Sequence, residues 1–187
     1  MNITVIFGSQ RFNGRSHEIE NDIKSLNLNH HFDFIRMAEM NIQGCIACEK
    51  CSDTGSCILS NSKNDDFNKI LKTCITNDIL LIITPIYSPY PSRLTAFMER
   101  LLSISFFPYM KNEAVKPLLA KPTGIFCYGS AKIEDDKQLK ILFQKCLLNK
   151  YSFYEVDYDY VNHDKEPNKN YKNINEYIIK TIKDIGI

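Results

Sequence analysis

The sequence lacks tryptophan, holds only seven glycines, and carries almost no net charge, with 23 Lys and Arg against 22 Asp and Glu. A net charge of +1 argues against a protein that binds nucleic acid or an anionic membrane through bulk electrostatics. Long apolar runs are also lacking, since Ile3–Phe7 and Ile79–Ile83 are far shorter than a signal peptide or a membrane span. We therefore expect a cytoplasmic protein with no nucleic-acid or membrane partner.

Cysteine, by contrast, is abundant. Seven cysteines, an odd number in a chain without a secretory signal, do not suggest a disulfide scaffold. In a reducing cytosol, clustered cysteines more often bind metal or carry out redox chemistry. The length of 187 residues predicts a single domain over 1–187, with a cysteine-rich excursion at about 42–64.

Five segments have the character of strands. Three are nearly continuous apolar runs, typical of strands buried on both faces, and two alternate polar with apolar residues, as half-exposed strands do. The continuous runs are Ile3–Phe7, Ile79–Ile83 and Gly124–Tyr128, and the alternating ones are His31–Phe34 and Glu155–Tyr160.

Helical apolar stripes lie after the strands, at Ile19–Leu26, Phe67–Ile75, Leu94–Leu102, Leu139–Cys146 and Ile174–Ile182. Strands that alternate with helices predict an α/β protein with a parallel sheet. The common five-stranded order 2-1-3-4-5 places the second and fifth strands at the edges, which are the two that alternate. The pattern therefore predicts a flavodoxin-like, doubly wound five-stranded parallel sheet with helices on both faces, and a ligand site at the carboxyl ends of the strands.

The loop after the first strand combines the residue types that hold a phosphate. Glycines allow a tight turn, amides at a helix start face an anion, and serines and arginines add donors. The candidate residues are Ser9, Arg11, Gly14, Arg15 and Ser16. Neither the dinucleotide fingerprint nor the P-loop pattern is present, which favours a monophosphate. The alternative is an ordinary turn in which Ser16 caps the helix.

Two further strand-end loops carry candidate binding residues. Pro85, Ile86, Tyr87 and Ser88 follow the third strand in a proline-rich segment that would form a stiff wall against a planar ring, with Tyr87 stacking on it. Tyr87 packed against the next helix is the equal alternative. Tyr128 and Gly129 end the fourth strand, where backbone amides would approach the ring edge, although a glycine there also marks any turn.

The excursion contains Cys45, Cys48, Cys51 and Cys57, within thirteen residues. Repeated spacings of two residues are typical of [4Fe–4S] sites, whereas structural zinc usually takes two separated pairs. A loop of free thiols that binds nothing is the third alternative. The other three cysteines, Cys74, Cys127 and Cys146, fall on apolar stripes or strands and are expected in the core.

Taken in order, these motifs resemble the NAD(P)H-dependent FMN reductase superfamily and, within it, the iron–sulfur flavoproteins. The residues that carry the resemblance are Gly8–Arg11, Gly14–Ser16, the four-cysteine run, Asp65-Asp66, Pro85–Tyr87, Leu94, Phe97 and Glu99-Arg100. The family usually has proline at Gln10 and asparagine at Arg15.

The resemblance implies FMN at the strand ends, with Ser9, Arg11 and Ser16 on its phosphate and Pro85–Ser88 along its ring. It also implies a [4Fe–4S] cluster on the four cysteines and a homodimer or homotetramer. The resulting hypothesis is an FMN-dependent oxidoreductase that moves electrons between NAD(P)H or a ferredoxin-type donor and an acceptor, which includes an electron-transfer protein. The alternatives are a cluster-free NAD(P)H-dependent FMN or quinone reductase, and a zinc- or thiol-based redox sensor.

Overall fold

A computed structural model describes residues 1–86, 91–106, 122–129 and 151–154. Four of its strands form the body of a parallel sheet in the order 2-1-3-4. These are β1 (Asn2–Phe7), β2 (His31–Arg36), β3 (Ile79–Ile86) and β4 (Thr123–Gly129). The predicted flavodoxin-like α/β class and the order of these four strands are confirmed.

The edge of the sheet next to β4 was only partly predicted from the sequence. A short strand, β5 (Tyr151–Tyr154), pairs in parallel with β4, with Tyr151 opposite Thr123. The segment predicted as the fifth strand, Glu155–Tyr160, lies outside the described residues, as do the predicted helical segments at 139–146 and 174–182. The five-stranded order built on that segment therefore stays a prediction.

Helices cover both faces of the sheet. They are α1 (Arg15–Ser25), α3 (Phe67–Thr76) and α4 (Ser92–Phe106), whereas the short helix α2 (Lys50–Thr54) belongs to the cysteine-rich excursion. The odd-numbered apolar residues of β1 and β3 pack with α1, and the even-numbered ones pack with α3 and α4. This two-sided burial explains why these strands are continuous apolar runs, because side chains alternate between faces and both faces are covered.

The cysteine-rich excursion contains α2 and a 3-10 turn, Ile58–Asn61, and it packs on the side of α3 and α4. Cys74 lies buried in the core, as predicted. Over the part of the chain that the structure describes, no helix is both long enough and apolar enough to cross a membrane.

Gly8 lies where β1, β3 and α4 approach most closely. Its amide donates to the Ile83 carbonyl at 2.9 Å. A Cβ atom at this position would lie 2.3 Å from Thr84 Oγ1 and 2.7 Å from Leu94 Cδ2, distances that real Cβ atoms do not adopt. The backbone can therefore reach β3 here only because residue 8 has no side chain.

The Gly8→Ala substitution is expected to lower the free energy of unfolding by about 1–3 kcal/mol, the usual cost of forcing an extra methyl into a packed core. Gly44→Ala is the matched control, because a Cβ there would meet only Glu99 Oε2 at 3.7 Å, an ordinary contact. Urea denaturation of both variants and the wild type measures the difference. Equal stability of the two variants would contradict the close approach at Gly8.

Candidate functional site

The phosphate loop, residues 8–14, connects β1 to α1 at the carboxyl edge of the sheet. Ser9 is buried, and its Oγ accepts a hydrogen bond from the Arg11 amide at 3.2 Å, which closes a tight turn. Gly14 occupies the N-cap position of α1 with a φ of +154°, a conformation that favours glycine. No side chain caps this helix, so the alternative in which Ser16 is the cap is wrong. Ser16 instead lies in the first turn.

A pocket open to solvent lies beside this loop, and we call it the phosphate-loop cavity. Three of the predicted phosphate residues line it, while Gly14 and Arg15 are not among its lining residues. The complete lining is Phe7, Ser9, Arg11, Phe12, Ser16, His17, Glu20 and Arg36. The structure thus brings together two serine hydroxyls and an arginine, the donors that a phosphate requires.

Sequence reasoning missed three polar residues of this cavity: His17, Glu20 and Arg36. His17 follows Ser16, and Glu20 lies one helical turn after it, so helical spacing could have placed both near the loop. Arg36 ends β2, and the strand order alone brings it beside the end of β1, where it lies opposite Phe7. A search for charged residues at the ends of neighbouring strands would have found it.

Glu20 is only 1% exposed, and two cations share its carboxylate. Arg36 donates through Nε to Oε2 at 2.6 Å and through Nη2 to Oε1 at 2.8 Å, and Lys24 Nζ lies 2.5 Å from Oε1. Burial raises the pKa of Glu20, but the hydrogen bonds and charges of Arg36 and Lys24 outweigh it, so the pKa is lowered. The carboxylate is therefore ionised at neutral pH.

The residues predicted to line a planar ring lie at the ends of β3 and β4. Pro85 is opposite Tyr128, and Ile86 is opposite Gly129, so the strand register brings the two pairs side by side. Tyr87 and Ser88 lie outside the described residues. This edge of the sheet adjoins the phosphate loop, because β1 and β3 are neighbours.

Gln10 links the phosphate loop to the start of α4. Its Nε2 donates to Ser92 Oγ at 2.5 Å, across 82 positions of sequence. Ser92 is the first residue of α4, which follows the predicted ring-binding segment. Gln10, one of the two residues that depart from the family pattern, therefore connects two walls of the candidate flavin site.

A second pocket, also open to solvent, is lined by all four cysteines of the excursion, and we call it the cysteine cavity. Arg100 and Ser103 of α4 form its opposite wall. Burial raises the pKa of the Cys51 thiol, and the charges of the other three cysteines raise it further, as expected for thiols that share one small volume. The four cysteines therefore line one cavity, and their role as cluster ligands stays a prediction.

Arg100 holds the excursion against α4. It is 1% exposed and forms a bidentate pair with Asp65, at 2.6 and 3.0 Å. Its Nε donates to Cys57 Sγ at 3.2 Å, and its Nη2 donates to Ser60 Oγ at 3.0 Å. Burial lowers the pKa of Arg100, but Asp65 and Cys57 outweigh that effect and the net pKa is raised, so the guanidinium stays charged.

Backbone amides around Cys45 donate two hydrogen bonds, one to sulfur and one to a carboxylate. The Ala47 amide donates to Cys45 Sγ at 3.4 Å, and the Cys45 amide donates to Glu99 Oε2 at 3.0 Å. Ala47 and Glu49 adopt positive φ values of 50° and 58°, which are uncommon outside glycine. Such conformations persist where the surrounding structure enforces them, and they concentrate at functional sites.

The four sulfurs do not form a site for a single metal ion. Within the described residues, no group of three or more His, Cys, Asp or Glu side chains is placed to hold one. A tetrahedral zinc site needs thiolates at about 2.3 Å from the metal, and so packs them closely. The spacing of the thiols in the structure therefore supports neither a zinc ion nor an iron–sulfur cluster at these cysteines.

Several solved structures have the same fold. Smu.1420 from Streptococcus mutans is 14% identical, with a TM-score of 0.62, over 98% of this chain and 100% of that one. An NAD(P)H:quinone oxidoreductase from Methanothermobacter marburgensis is 12% identical, with a TM-score of 0.60, over 99% and 97%. An FMN-dependent NADH-azoreductase from Bacillus anthracis, solved with FMN, is 14% identical, with a TM-score of 0.59, over 96% and 99%.

Comparison with curated proteins gave no match. The family model described as NADPH-dependent FMN reductase, however, matches residues 1–149. That range includes the phosphate loop, both candidate cavities and the strand ends of the proposed ring site. The chain therefore belongs to the NADPH-dependent FMN reductase family.

Proposed function

We propose that the protein is an FMN-dependent oxidoreductase that takes electrons from NAD(P)H and passes them to a small oxidised acceptor such as a quinone, a nitro compound or free flavin. The phosphate-loop cavity carries this proposal. It offers Ser9, Arg11 and Ser16 at the carboxyl end of β1, where ligands of such sheets bind. The proposed scaffold is a single domain over residues 1–187 on the predicted five-stranded sheet.

Each part of the site has its own task in binding. Ser9, Ser16 and Arg11 would hold the FMN phosphate, with Gly14 shaping the turn before α1 and Arg15 adding charge at its start. Pro85–Ser88 would form one wall of the ring pocket, and Tyr128 and Gly129 would lie along its edge. These residues bind, orient and shield the ring from water.

Bound FMN supplies the redox chemistry, because a flavin accepts two electrons as a hydride and releases them singly or together. The chain then needs no acid or base of its own for the transfer. The titles of fold neighbours support acceptors of the quinone and azo classes, since one is an NAD(P)H:quinone oxidoreductase and another is an FMN-dependent NADH-azoreductase.

A second candidate function adds a [4Fe–4S] cluster, which would make the protein an electron-transfer relative of the iron–sulfur flavoproteins. Its support is the cysteine cavity, in which four thiols meet two donors, the Ala47 amide and the Arg100 guanidinium, that point at sulfur. A cluster is larger than a single ion, so its ligands stand farther apart than zinc ligands do. Cys45, Cys48, Cys51 and Cys57 would hold it.

The Arg11→Gln substitution is expected to weaken FMN binding roughly tenfold or more, because it removes a charge-assisted hydrogen bond to phosphate. Binding of riboflavin, which has no phosphate, should stay unchanged. Quenching of flavin fluorescence on titration measures both affinities. Lys69→Gln is the control, since it removes the same charge from an exposed position on α3. An equal loss for FMN and riboflavin would contradict the assignment of Arg11 to the phosphate.

Iron analysis decides between the two candidates. If the cluster is present, protein purified without oxygen should contain about four iron and four sulfide per chain and show broad brown absorbance beyond the flavin bands. Cys48→Ser should lose this iron, whereas Cys74→Ser, in the buried core, should keep it. Yellow wild-type protein that binds FMN but no iron would refute the cluster and leave the flavin-only reductase.

A further inference from the structure

A buried carboxylate lines the cavity that is proposed to hold a phosphate. Glu20 shares the wall of the phosphate-loop cavity with Arg11, Arg36 and His17. An acid in this position is unexpected, because it repels the anion that the serines and Arg11 attract. Its burial at 1% exposure means that solvent screens this repulsion only weakly.

Arg36, one of the two cations that contact Glu20, is already committed to carboxylates. Arg36 uses Nε and Nη2 on Glu20, and its Nη1 donates to Glu39 Oε1 at 2.8 Å. All three of its donor nitrogens therefore face acids of this chain. Because Arg36 neutralises Glu20, little of the positive charge of Arg36 is left for a ligand. Arg11 is therefore the main source of attraction for a phosphate.

The net positive charge of the cavity is consequently small. Two arginines against one carboxylate leave one net positive charge among the arginine and carboxylate side chains that line the cavity. A phosphate monoester carries about −1.5 to −2 at neutral pH. The cavity thus under-compensates the phosphate that it is proposed to bind.

We propose that Glu20 lowers the affinity of the phosphate-loop cavity for a flavin 5′-phosphate. This inference rests on the proposed function. It assigns to Glu20 a role beyond its ion pairs with Arg36 and Lys24, because a structural residue would stabilise the fold and leave the preference for FMN over riboflavin untouched.

The test compares Glu20→Gln with Glu39→Gln in flavin titrations at pH 8, where the phosphate is dianionic. Both substitutions remove one negative charge next to Arg36, but Glu39 is exposed and does not line the cavity. Glu20→Gln should tighten FMN binding about tenfold while lowering thermal stability, and should leave riboflavin affinity unchanged. Glu39→Gln should change FMN affinity less than about twofold, because solvent screens its charge.

Weaker or unchanged FMN binding by folded Glu20→Gln would overturn the inference while leaving the proposed function intact. If that variant does not fold, the wild type decides, since an under-compensated cavity should bind FMN no more than about a hundredfold tighter than riboflavin. A preference of several thousandfold would overturn the inference. Wild-type protein that binds neither flavin would overturn both the inference and the proposed function.

Discussion

The buried ion pair between Arg100 and Asp65 is the interaction on which the position of the cysteine cavity depends. A guanidinium with 1% exposure is stable only where acceptors surround it, because an uncompensated buried charge costs several kcal/mol. Asp65, Ser60 and Cys57 all belong to the excursion or its end, and the face of Phe67 lies 4.3 Å away. The excursion therefore has one favourable way to lie on α4, and that placement creates the cysteine cavity.

Helix α4 connects the two candidate sites. Its first residue, Ser92, accepts a hydrogen bond from Gln10 of the phosphate loop, and Glu99, Arg100 and Ser103 face the cysteine segment. At 1.5 Å per residue, the eleven positions from Ser92 to Ser103 span about 16 Å. Both sites therefore sit on one rigid element, and a change in the position of α4 would alter them together.

Prediction from the sequence succeeded where a pattern of neighbouring residues determines the structure. Continuous apolar runs identified strands buried on both faces, and the strand pattern predicted the order 2-1-3-4 of the four strands that form the body of the sheet. It failed where a contact joins distant residues, as between Glu20 and Arg36, or between Arg100 and Asp65, whose pairing depends on how the chain folds back. The Glu99-Arg100 motif marked Arg100 as notable, but nothing local shows that it is buried. Gly14 occupies the N-cap position for which the sequence analysis considered Ser16, because the backbone there has a positive φ.

The Arg100–Asp65 and Arg36–Glu20 ion pairs have opposite consequences for the cavities beside them. At the cysteine cavity, Arg100 presents its Nε to sulfur while Asp65 lies behind it, so the cavity offers positive charge to anionic ligands. At the phosphate loop, Arg36 is enclosed between two acids, and the carboxylate of Glu20 lines the cavity. The first ion pair therefore presents its cation to the cysteine cavity, whereas the second presents its carboxylate to the phosphate-loop cavity.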